Sequence, residues 1–141
     1  MRIAIINGPN LNKLGQREPD IYGTQSFESY LTELEERHSD LGLHYRQSNH
    51  EGELVDFIQN AEDIADGLIL NAAAYTHTSI AIGDAVGTLS IPVIEVHISN
   101  VFAREPERHR SMISAVATGV IVGLGLHGYE LAVQHLKKIL R

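Results

Sequence analysis

Polar side chains able to hold a small oxygenated ligand gather in three short stretches of this 141-residue chain: Asn7-Gly8-Pro9-Asn10-Leu11-Asn12, Asn71 with Tyr75-Thr76-His77-Thr78-Ser79, and His97-Ile98-Ser99-Asn100. Amides and hydroxyls orient such a ligand, and an imidazole can give or take a proton near neutral pH. Loop Asn and Ser also make ordinary turns and caps, so each stretch taken singly has a plain structural reading. Glu95 precedes His97 by two residues, and on a strand the pair shares a face. The carboxylate can then orient the imidazole and set its tautomer, or His97 is a buried, hydrogen-bonded structural residue. A further stretch, NGPNLNKLGQREPDIYG, has glycines at 8, 15 and 23 around Arg17, Glu18 and Tyr22, the composition of a mobile lid. The alternative makes Arg17 a solvated charge and Tyr22 an anchoring ring. Arg104, Arg108 and Arg110, interleaved with Glu105 and Glu107, read mostly as a solvated, self-paired face.

Composition narrows the chemistry. The absence of cysteine excludes disulfides, a thiolate nucleophile and sulfur-based zinc sites, so any base or nucleophile is oxygen or nitrogen. The only lysines are Lys13, Lys137 and Lys138, the last two at the end of a helical pattern, which argues against a buried Schiff-base lysine. A formal charge of −7 and the lack of a basic run argue against nucleic acid. The remaining histidines, 38, 44, 50, 109, 127 and 135, form no evident metal-ligand pattern. The segment Gly123-Leu124-Gly125-Leu126-His127-Gly128 matches G-x-G-x-x-G, but no further strand and acidic residue follow it as a dinucleotide site requires. It is expected to serve a tight turn and helix–sheet packing.

The elements that must position these groups alternate between strand-length apolar runs and helix-length amphipathic stretches. Strands are expected at Arg2–Asn7, Leu43–Gln47, Gly67–Asn71, Val93–Val96 and Thr118–Val122. Helices are expected at Phe27–Leu41 with Ser26 as N-cap, Glu53–Ala61, Ser79–Leu89 and Tyr129–Leu140, with a short one near Pro106–Ser111. Runs such as LIL and GVIV are apolar on both faces, as in a parallel sheet covered on both sides. The expected fold is α/β, a three-layer α/β/α sandwich of one domain. By analogy with flavodoxin-like folds, its five-stranded parallel sheet has the order 2-1-3-4-5. Ligands bind such sheets beyond the carboxyl ends of the strands, where the polar stretches fall. Gly8–Gln25 is the one long irregular segment.

Together, NGPNLNKLGQREPDIYG, ILNAAAYTHTS, IEVHISNVFARE and ATGVIVGLG resemble the hallmark segments of the type II 3-dehydroquinate dehydratases, over nearly the whole chain. The resemblance implies a flavodoxin-like, cofactor-free and metal-free lyase of the shikimate pathway. It would remove water from 3-dehydroquinate by anti elimination through an enolate, yielding 3-dehydroshikimate. It implies Tyr22 as base, held as phenolate by a close guanidinium, with Arg17 of the lid (about residues 15–23) as the candidate. Asn10 would hold a water against the enolate oxygen, and His97 would protonate the leaving hydroxyl, with Asn71 helping to place it. The N–H groups of Ile98 and Ser99, the Ser99 hydroxyl and Asn71 would receive the carboxylate. His77 and Arg108 would meet ring hydroxyls, and Asp84 would reach a neighbouring subunit's site in a trimer, commonly four to a dodecamer.

The chain departs from the family pattern at Gly83, where arginine is common, at Phe102, where histidine is frequent, and at Pro106, where a second acidic residue is frequent. No membrane span or signal-peptide pattern is read, so a cytoplasmic location is expected. The competing expectation is a non-catalytic flavodoxin-like ligand-binding module, which would carry a bound nucleotide or flavin.

Overall fold

The computed structural model describes residues 1–141. Five strands, β1 (Arg2–Asn7), β2 (Gly42–Gln47), β3 (Gly67–Asn71), β4 (Val93–His97) and β5 (Gly119–Val122), form one parallel sheet in the order 2-1-3-4-5. This is the expected flavodoxin-like architecture. The parallel registers align Asn7 with Gln47 and with Asn71, and His97 with Val122. The polar ends of the central strands therefore finish at one edge.

The helices are α1 (Pro19–Tyr22), α2 (Phe27–Arg37), α3 (Glu51–Ile64), α4 (Ile80–Gly87) and α5 (His127–Ile139). Alternate strand residues divide the core into two layers. On one face Ile3, Ile5, Ile69, Ile94 and Val96 pack against Phe27, Tyr30 and Leu34 of α2 and Tyr129, Val133 and Leu136 of α5. On the other, Ala4, Ile6, Leu68, Leu70 and Val93 meet Leu54 and Ile58 of α3 and Ile82 and Val86 of α4. Burying a side chain of this kind contributes about 1.5–3 kcal/mol, so the two layers fix the strand ends from which the polar loops emerge.

The sequence boundaries shift at several ends. Helix α2 stops at Arg37 rather than Leu41, where His38 leaves helical geometry (φ −124°, ψ 49°). Helix α3 runs longer than expected at both ends. The stretch near Pro106 is a 3₁₀ turn, Pro106–His109. Gly8–Gln25 is less irregular than its composition suggests. It holds a 3₁₀ turn at Leu11–Lys13 and the short helix α1, opened by Pro19, and it is anchored by buried Leu11 and Leu14. Proline at a first helical position was the available signal. In the glycine-rich segment before α5, Gly123 has φ +83°, and a Cβ on Gly128 would stand 3.3 Å from Val96 and Ile121. Those residues serve a turn and close packing.

Candidate active site

At the carboxyl edge of the sheet a cleft is lined by Pro9, Asn10, Arg17, Tyr22, Asn71, His77, His97, Ile98, Ser99, Arg104 and Arg108, among others. Of the residues given a catalytic or binding role above, it brings together Tyr22, His97, Arg17, Asn10, Asn71, His77, Ile98, Ser99 and Arg108, but not Asp84 or Glu95. Glu95 lies behind His97. Asp84 is exposed on α4 and does not line this cleft.

Beneath the cleft is a buried amide–phenol floor. Tyr129 Oη donates to Asn7 Oδ1 at 2.7 Å and accepts from Asn71 Nδ2 at 2.9 Å. Asn71 Oδ1 in turn accepts from the Ala73 N–H at 3.1 Å. Asn71 is thus oriented by partners on α5 and on the loop after β3, keeping one amide hydrogen and one lone pair for a ligand. Tyr129 has no exposure, and burial pushes its phenol above the ordinary range. Burial likewise pushes Tyr45, beside Asn7, up to about 12. These are neutral structural phenols.

On one wall, His97 Nε2 lies 2.8 Å from Glu95 Oε2. The carboxylate also accepts from Ser111 Oγ at 2.9 Å and from Ser114 Oγ at 2.9 and 3.0 Å. Burial pushes the Glu95 carboxyl up, but the hydrogen bonds from His97, Ser111 and Ser114 outweigh it, and the net position is below the ordinary value. An ionised Glu95 requires Nε2 to carry a proton, which leaves His97 Nδ1 as the atom that can exchange one. His77 stacks on His97 with ring centroids 6.1 Å apart. Its Nδ1 lies 2.7 Å from the Arg110 carbonyl, which can only accept, so Nε2 is its free atom. Burial lowers the His77 pKa and favours the neutral ring.

On the opposite wall stands Tyr22, the last residue of α1. Arg104 Nη1 donates to its hydroxyl at 2.8 Å and to Ser99 Oγ at 3.3 Å. Arg17 lies over the Tyr22 ring, 4.8 Å from guanidinium carbon to centroid, and pairs with Glu18 at 2.6 Å. The guanidinium at the phenolic oxygen is therefore Arg104, whereas the sequence pointed to Arg17 and left Arg104 in a solvated run. Arg108 does pair with Glu105 as that reading expected. The available signal for Arg104 was its place five residues after Ser99. Such a guanidinium favours the ionised form of a phenol.

The rim also holds strained backbone. Asn10 and Ala73, both lining the cleft, and Glu18 have positive φ values of 69°, 53° and 39°. Left-handed non-glycine residues cost on the order of 1–3 kcal/mol and cluster at functional sites. Neither Ile98 nor Ser99 uses its N–H in a hydrogen bond within the chain, so both donors are available to an anion. The departures fall outside this constellation. Phe102 is exposed and packs near His109, with centroids 5.9 Å apart, and a Cβ at Gly83 would stand 2.4 Å from the Met112 carbonyl oxygen. Gly83 thus permits the close approach of α4 to the segment carrying Ser111 and Ser114.

A family model described as "Dehydroquinase class II" matches residues 1–137. A 3-dehydroquinate dehydratase from Exiguobacterium sp. is 56% identical over 137 residues, covering 96% of this chain and 94% of that protein. A catabolic 3-dehydroquinase from Aspergillus clavatus is 52% identical over 136 residues, covering 95% and 91%. The crystal structure of a type II dehydroquinase from Butyrivibrio crossotus superposes with a TM-score of 0.93 at 47% identity, covering 97% of each chain.

Proposed function

The chain belongs to the class II dehydroquinase family, and from that premise we propose how its residues divide the work of a 3-dehydroquinate dehydratase, a hydro-lyase of the shikimate pathway. Tyr22, ionised beside Arg104, removes a proton from the carbon next to the substrate ketone. The C–H electron pair passes into an enolate whose oxygen is stabilised by a water held on Asn10. His97 Nδ1 then gives its proton to the leaving hydroxyl on the opposite face. The C–O bond breaks, water departs and the ketone re-forms, conjugated to the new C=C bond. Glu95 holds His97 in register, with Nε2 turned to the carboxylate and Nδ1 left for the substrate.

The substrate carboxylate is received by the Ile98 and Ser99 N–H groups, the Ser99 hydroxyl and the remaining N–H of Asn71. His77 and Arg108 meet ring hydroxyls. Apart from the water held on Asn10, every group in this scheme belongs to the protein itself, with no metal or cofactor. Residues 15–23 close as a lid within a single catalytic domain, bringing Arg17 over the ligand.

The observation that carries this reading is the Arg104–Tyr22 contact at 2.8 Å in the same cleft as the His97–Glu95 pair at 2.8 Å. The first supplies a cation at a potential base, the second a carboxylate behind a potential acid. Asp84 is exposed beside Ile80, itself 67% exposed, and lies outside its own chain's cleft. That position suits a residue serving a neighbour's site, in keeping with the trimer, and the dodecamer of four trimers, that we propose. No helix is long and apolar enough to cross a membrane, and a cytoplasmic enzyme is the location we infer.

The test is incubation of metal-free, cofactor-free protein with 3-dehydroquinate while following the ultraviolet absorbance of the conjugated product. Absence of product from correctly folded protein overturns the assignment. Mixing Asp84→Ala with Arg17→Ala protein tests site sharing. Activity regained on subunit exchange supports it, and none regained with exchange verified places each site within one chain.

A further inference from the structure

Asn10 sits in the left-handed region with φ 69° and ψ −6°, and its side chain makes no capping hydrogen bond. The side-chain contact its backbone makes comes from outside the loop. Its N–H donates to Asn49 Oδ1 at 3.0 Å. That oxygen also accepts from Gln47 Nε2 at 3.1 Å, and the same Nε2 donates to the Gly8 carbonyl at 3.2 Å. The Asn49 carbonyl accepts from the Tyr75 hydroxyl at 3.4 Å. Two side chains at the end of β2 thus clamp both ends of the Gly8–Asn10 turn, tied to the loop after β3. Neither lines the cleft.

Donor and acceptor roles in this clamp are fixed by chemistry. A backbone N–H can only donate, so the Asn49 atom facing Asn10 is oxygen. The Gly8 carbonyl can only accept, so the Gln47 atom facing it is nitrogen. Two hydrogens on Nε2 meet two acceptors, and two lone pairs on Oδ1 meet two donors. Reversing the polarity at either residue puts like atoms against each other.

We propose that Gln47 and Asn49 are positioning residues for catalysis, acting through Asn10 to hold it in the strained conformation from which its side chain faces the reacting oxygen. The proposal rests on the role given to Asn10 above. The same chemical change has opposite consequences at the two positions. Asn49→Asp keeps an acceptor for both incoming donors, whereas Gln47→Glu replaces the only donor with an acceptor facing two oxygens. Each adds one negative charge at neighbouring sites, so a general electrostatic effect on an anionic substrate is matched.

The experiment measures kcat and KM for Gln47→Glu and Asn49→Asp, in the wild-type background and in Asn10→Ala. Gln47→Glu is expected to lower kcat by roughly 10- to 10²-fold, the scale of a misplaced catalytic group, with KM changed by no more than about threefold. Asn49→Asp should remain within about threefold of the wild-type kcat, and in the Asn10→Ala background Gln47→Glu should add less than about threefold, because interacting residues are not additive. Should Gln47→Glu fail to fold, Asn49→Ala, at an exposed position, replaces it in the same cycle. A kcat loss in Asn49→Asp matching that of Gln47→Glu, or an equal factor for Gln47→Glu in both backgrounds, overturns the proposal while leaving Asn10 in place. An Asn10→Ala variant with wild-type turnover overturns the reading of Asn10 itself, and the clamp with it.

Discussion

Tyr22 and Tyr129 are the same phenol in opposite surroundings. Tyr129 has no solvent exposure, is satisfied by two amides and packs edge-on against Phe27 with centroids 4.9 Å apart. Tyr22 is half-buried on a four-residue helix, with Arg104 at its hydroxyl and Arg17 over its ring. Burial disfavours a phenolate and a cation favours one. The fold therefore separates the two phenols by where it places guanidinium groups, and the base proposed above is the one that has them. Position at the sheet edge is common to both.

The sharpest way to break that contrast is Tyr22→Phe, which keeps the ring but removes the proton acceptor. Turnover should fall by about 10²–10⁴-fold, while a direct binding titration and thermal unfolding stay near wild type. Near-normal turnover in the folded variant would sink the assignment of the base. Next is Arg104→Ala, expected to lower turnover by roughly 10- to 10²-fold because one cation is lost from the phenol. Arg104→Lys should recover only part, since a lysine side chain is one atom shorter and does not bring its ammonium to the place where Nη1 meets both Tyr22 and Ser99. Full recovery would mean that charge alone matters there.

Tyr129→Phe should invert the pattern by leaving buried Asn7 and Asn71 short of a partner. A stability loss of about 1–3 kcal/mol is expected from urea midpoints, with a smaller proportional loss of turnover than Tyr22→Phe. If it matches Tyr22→Phe in turnover at unchanged stability, the floor is chemical rather than structural.

The smallest effect concerns Glu130, next to Tyr129, which accepts from Arg37 Nε at 2.9 Å and Gln134 Nε2 at 2.9 Å and meets His38 at 2.6 Å. Burial raises its pKa, but the Gln134, Arg37 and His38 contacts bring it from 4.5 down to about 2. The folded value lies below the unfolded one, so this stabilisation is present above about pH 4.5 and is lost as pH falls towards about 2. Glu130→Gln should flatten the acid limb of stability by on the order of 1–2 kcal/mol. An unchanged acid limb would show that the pair contributes nothing.

The architecture was legible because the unbroken apolar runs within Arg2–Asn7 and Gly67–Asn71 speak directly to a sheet covered on both faces, and the polar stretches that follow those strands fall at one edge. Residue type and chain order marked His97 with Glu95 equally well. Arg104 escaped because its neighbours Glu105, Glu107 and Arg108 resemble a solvated face, and only three-dimensional closure brings it to Tyr22, 82 residues away. Gln47 and Asn49 escaped for a similar reason, since an amide's partner is invisible until two loops meet. Short helix α1 depends on tertiary anchoring by Leu11 and Leu14, which propensity does not encode.

The Tyr129–Asn7 hydrogen bond joins residues 122 positions apart. Closing so long a segment carries an entropic cost that local contacts do not meet. A refolding chain can build the layer of α3 and α4 on β1 and β3 before the polar floor exists, and only the docking of α5, which fills the other layer, completes it. Competence for the reaction should therefore lag behind the return of helical circular dichroism in a refolding experiment. The delay measures how long this molecule is compact before it can bind.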